Sequence, residues 1–120
     1  MRKLAIIAIA AMFAAAPALA QDHSGHAAHG AMSPASQAYM DAMARMDSDM
    51  KGMAITGKPG ADFMLMMIPH HQAAIDMAKA YLASGENDPE VTKLSNDIIA
   101  AQEKEIALMR DWLKRNGHGG

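Results

Sequence analysis

The chain has 120 residues, a formal charge of −2, 13 methionines, six histidines and no cysteine. That length accommodates one domain; the lack of cysteine excludes disulfides and thiolate zinc sites, and the lack of a basic stripe excludes nucleic acid as a partner. Beyond Ala20, eleven methionines stand against five leucines, although leucine is ordinarily among the commonest residues of a globular domain.

In chain order, Arg2 and Lys3 precede the apolar run Leu4 to Ala16, and Pro17-Ala18-Leu19-Ala20 ends in the small-x-small pattern that signal peptidases read. The run is short for a bilayer span. Residues 1–20 are therefore expected to be a signal peptide cleaved after Ala20, which gives a periplasmic chain without stable membrane insertion; the competing reading is a retained anchor. Cleavage removes two basic residues and no acidic one, which takes the formal charge to −4.

Residues 21–33 have almost nothing apolar to bury and read as a disordered, His-rich arm, with His23, His26 and His29 spaced by three. A terminus at Gln21-Asp22-His23 could wrap a cupric ion with its amine, two amide nitrogens and the His23 imidazole, the square-planar field Cu(II) prefers. His26, His29 and Met32 would serve as a loose capture arm, and His118 reads as a tail residue.

The helical, metal-binding domain is expected over residues 34–117. Ser33-Pro34 has the form of a helix start, and Met40, Met43, Met46, Met50 and Met53 then recur at helical steps beside Tyr39. Core packing explains such a seam as well as metal binding does. Gly57-Lys58-Pro59-Gly60 breaks the pattern. A second helix is expected to start with Asp62 as cap and to bury Phe63, Met64, Met67, His71, Ala74, Ala78 and Leu82, with Pro69 bending or splitting it. A third starts at Asn87-Asp88-Pro89-Glu90, with Asn87 and Glu90 at capping-box spacing, and buries Val91, Leu94, Ile98, Ile106, Met109 and Leu113 before Gly117 stops it. No stretch alternates long enough for a strand. The fold class is all-α, a small antiparallel bundle of about three main helices.

Residues four apart on a helix stack, so Met66 neighbours His70 and Met67 neighbours His71, with Met77 two turns beyond His70. The two rings point about 100° apart, and each needs donors from another helix. Gln102, Glu105 and Met109 offer a polar line ending in a thioether on the third helix. The plainer reading is a structural hydrogen bond from a histidine to a buried Glu105, or exposure of one ring. Thioether and imidazole together favour a soft ion, Cu(I) above all, with Cu(II) and Ag(I) behind it.

The segments Met67-Ile68-Pro69-His70-His71-Gln72 and Gln102-Glu103-Lys104-Glu105-Ile106-Ala107-Leu108-Met109 resemble those of the domain-of-unknown-function 305 family, to which CopM-like periplasmic copper-binding proteins belong. The similarity runs from about Tyr39 to Asn116. It implies a ferritin-like helical bundle linked to copper binding and resistance, and by position it picks out Met67, His70, His71, Met77, Gln102, Glu105 and Met109.

The expected function is non-enzymatic sequestration or carriage of copper, with another periplasmic copper protein as exchange partner and a homodimer to help bury methionine faces. No glutamate stands three residues before a histidine, as di-iron bundles require, and no nucleophile arrangement is present. The alternatives are a ferritin-like metalloenzyme and a helical interaction module whose methionines adapt to another surface.

Overall fold

The protein is described by a computed structural model over residues 31–119; the leader, its cut and the arm as far as Gly30, His23 included, lie outside the described residues. Helices α1 (Pro34–Gly52), α2 (Pro59–Ala83) and α3 (Pro89–Arg115) form an all-α bundle, with no strand among the described residues. A ferritin-like bundle holds four helices, one more than these. Each helix opens on a proline, whose missing N–H falls among donors that lack an intrahelical partner anyway.

Two helix starts differ from expectation. Asp88, not Asn87, caps α3: its Oδ1 accepts from the Glu90 and Val91 amides at 3.0 Å each, a register that puts Pro89 at the first helical position. On α2 the cap position is Lys58, which makes no side-chain cap bond, so Pro59 and Gly60 belong to the helix and Asp62 lies in its first turn. Asp62 instead ties the preceding loop, accepting from the Thr56 amide (2.8 Å), the Thr56 hydroxyl (2.7 Å) and the Gly57 amide (3.1 Å). These bonds, Thr56's backbone amide first, hold its carboxyl below the usual range. Gly60 is used for close approach: a Cβ there would sit 3.4 Å from the Trp112 indole of α3.

α2 is the middle layer. It packs against α1 and α3, while α1 and α3 bring no Cα atoms within 8 Å of one another. Helix α1 meets it through small residues, with Ala35 and Ala38 beside Ala80 and Ala83 and with Ala42 buried. Methionines on α1 are not the core: Met40 and Met43 are exposed, and Met46 and Met50 are half-buried. Between α2 and α3 the core is Ile75, Ile106 and Met109, flanked by Met64, Met67, Ile68 and Ile99.

With neighbours on two sides, α2 buries Ala61, Ala73, Ile75, Ala78 and Tyr81 rather than a single stripe. Phe63, expected inside, is 59% exposed, and Leu82 is exposed as well; on α3, Val91 and Leu94 are exposed while Ser95 is buried. Pro69 does not split α2, which runs unbroken through it. His118 is tied down, its amide donating to the Leu113 carbonyl at 2.8 Å.

Candidate metal centre

The His70-His71 pair is divided by the helix. His71 turns toward α3 and its side chain is 12% exposed, whereas His70 is exposed. The His71 ring is held at both nitrogens. Nδ1 donates to the Met67 carbonyl one turn earlier at 2.9 Å, and Nε2 meets Glu105 Oε2 of α3 at 2.5 Å. A carbonyl can only accept, so the bond at Nδ1 has the ring as donor. The Glu105 carboxyl group stands at the position a metal ion would take on Nε2. Histidines that ligate metals commonly donate their other ring N–H to a backbone carbonyl, which fixes ring and tautomer.

Around this pair lies a cleft of about 250 Å³ lined by Phe63, Met64, Met67, His71, Glu105, Leu108 and Met109. Four residues singled out by the sequence, Met67, His71, Glu105 and Met109, therefore share one site. Glu105 was expected to be buried; its side chain lines the cleft yet is 60% exposed, and its Oε2 meets His71. Among the described residues no three histidine or carboxylate side chains gather. An ion entering here would find one imidazole and one carboxylate, and every further donor side chain in the cleft is a thioether. Hard cations gain nothing from sulfur, whereas Cu(I) and Ag(I) do.

The remaining candidates lie elsewhere. Met66 is exposed one turn before His70. Met77 lines a separate apolar cleft with Tyr39, Tyr81, Leu94 and Ile98. Gln102 is half-buried one turn before Glu105 but does not line the cleft; its Oε1 is buried with no hydrogen-bond partner. Met64 was missed as a donor, although its spacing of three to Met67 and seven to His71 places it on the same stripe.

The chain matches, over residues 8–113, the family described as a domain of unknown function, DUF305. It belongs to that family. It is also 43% identical over 47 residues to "Uncharacterized protein L153" of Acanthamoeba polyphaga mimivirus, a stretch covering 39% of this chain and 30% of that protein. The chain thus spans under a third of this relative's length. No solved structure matches it.

Proposed function

We propose that this DUF305 protein binds copper, Cu(I) first and Cu(II) or Ag(I) as alternatives, and sequesters or carries it as an exported, CopM-like periplasmic protein that contributes to copper homeostasis or resistance. The reading rests on one observation: a pre-oriented imidazole, a carboxylate and three thioethers, of Met64, Met67 and Met109, face one cleft free of lysine and arginine. His71 would hold the ion through Nε2, the methionines would supply soft neutral donors, and Glu105 would offset its charge. Exposed His70 and Met66, one turn apart, would be outer donors. Exchange of a bound ion needs no catalytic base, so no enzymatic step is assigned.

Titration of the purified protein with Cu(I) against a competing chelator tests this. His71→Ala should weaken the tightest site at least about tenfold, while His70→Ala should change it far less, since that ring is exposed and does not line the cleft. Because imidazole and carboxylate groups ligate a metal only when deprotonated at the ligating atom, affinity should fall as pH falls. Equal affinity in the protein and in His71→Ala would overturn the assignment.

A further inference from the structure

The bundle has two unlike sides. On α2, Leu65, Pro69, Gln72, Asp76 and Lys79 recur at steps of four and three and form one stripe. On that side lie the Arg45–Asp76 bridge (3.1 Å), the Lys79–Glu103 bridge (3.5 Å) and a cleft that includes Asp49 and Arg110. The opposite stripe of α2 is Phe63, Met66, His70, Met77 and Tyr81. Two clefts open on it, one reaching Tyr39 of α1 and Leu94 and Ile98 of α3, the other reaching Leu108 and Met109.

Helical spacing extends this side over the neighbours, through Met43 and Met50 on α1 and through Val91, Leu94 and Ala101 on α3. Leu94 is 57% exposed and Met43 43%. Among the residues that line the two clefts of this side the only carboxylate is Glu105, which is matched by His71; Asp47, Glu90 and Asp97 stand at its edges. Exposed apolar patches of this extent are uncommon on monomers and mark association surfaces.

We infer that this apolar side is the contact surface for a second copy of the same chain, paired about a two-fold axis. Extent and exposed apolar side chains select that occupant. Helices of 19, 25 and 27 residues, at about 1.5 Å rise and about 9 Å spacing, present roughly 800 Å², the area each partner of a standard interface contributes. A two-fold contact sets one patch against its own copy, and an apolar patch is complementary to itself without any pairing of opposite charges. A partner recognised through charge would dock on the other side. The pairing would also close the gap that α1 and α3 leave over α2. The cleft at His71 opens on this same side, but the pairing is argued without a metal, and the metal-free protein tests it separately.

The test is sedimentation equilibrium of the metal-free protein and three single variants, with helicity checked by circular dichroism. The protein should sediment at twice the chain mass. Leu94→Glu and Met43→Glu, each placed twice in the contact, should raise the dimer dissociation constant about 100-fold or more. Ser48→Glu, exposed in the cleft of the charged side, should leave it within about threefold. A monomeric protein at high micromolar concentration would overturn the proposal, as would equal weakening by all three variants.

Discussion

Adjacent histidines with different surroundings show how much a single residue step decides. His71 faces α3 and gains a carbonyl and a carboxylate; His70, about 100° further round, gains neither. Spacing alone marked the donors on each helix, because residues three and four apart share a face. It could not say which of the two rings meets Glu105, since that depends on the rotation of α2 against α3. Gln102 and Met77 fell on recognisable lines but outside the cleft for the same reason.

At Asp62 the side chain was legible as a polar group near a helix start, and its role was not. Three donors converge on its carboxylate, so its folded pKa lies below the ordinary 3.8. The stability it contributes is present above that ordinary value and is lost as pH falls through the lowered one. Asp62→Asn keeps one acceptor oxygen and turns an NH₂ toward a donor. It should lower the thermal midpoint by a few degrees at neutral pH, and the gap to the parent protein should shrink below about pH 4. A gap that is constant from pH 7 to pH 3, measured by thermal melts, would show that the carboxylate charge is not what holds the loop.

At the scale of elements, helix number, order and type were legible because prolines, glycines and apolar spacing agree. Cap identity was less so, since Asn87 and Asp88 are both capable and only the position of Pro89 decides between them. Asp88→Ala removes the acceptor for two amides and should cost about 1 kcal/mol, whereas Asn87→Ala should be nearly neutral; urea unfolding of the two variants distinguishes them. The interior of α2 was misread because a one-face pattern was sought on a helix with two neighbours. Alanines on its second face, Ala73 and Ala80, carry little hydrophobic signal, yet they allow α1 to approach closely. Pro69 is tolerated for a related reason: packing on two sides holds the helix through the loss of one backbone bond.

For the whole molecule, the layer order α1–α2–α3 gives the helices unequal support. Helices α2 and α3 share Ile75, Ile106, Met109 and the His71–Glu105 contact. Helix α1 has one partner, and Ala42 is its only fully buried residue. Its one bond to α2 between charged side chains, Arg45 to Asp76, has the arginine largely in solvent, where such pairs contribute little. Local opening follows buried apolar contact. Amide hydrogen exchange of the Leu94→Glu variant, in which no second copy covers α1, should therefore find α1 opening as a unit at lower free energy than α2 and α3, with the slowest amides around Ile75 and Ile106. If copper occupies the cleft at His71, loading the protein should slow exchange in α2 and α3 more than in α1, because the donors belong to those two helices alone. Amides of α1 that exchange as slowly as those around Ile75, with or without metal, would contradict this ranking and would mean that α1 is held by contacts beyond those it makes with α2.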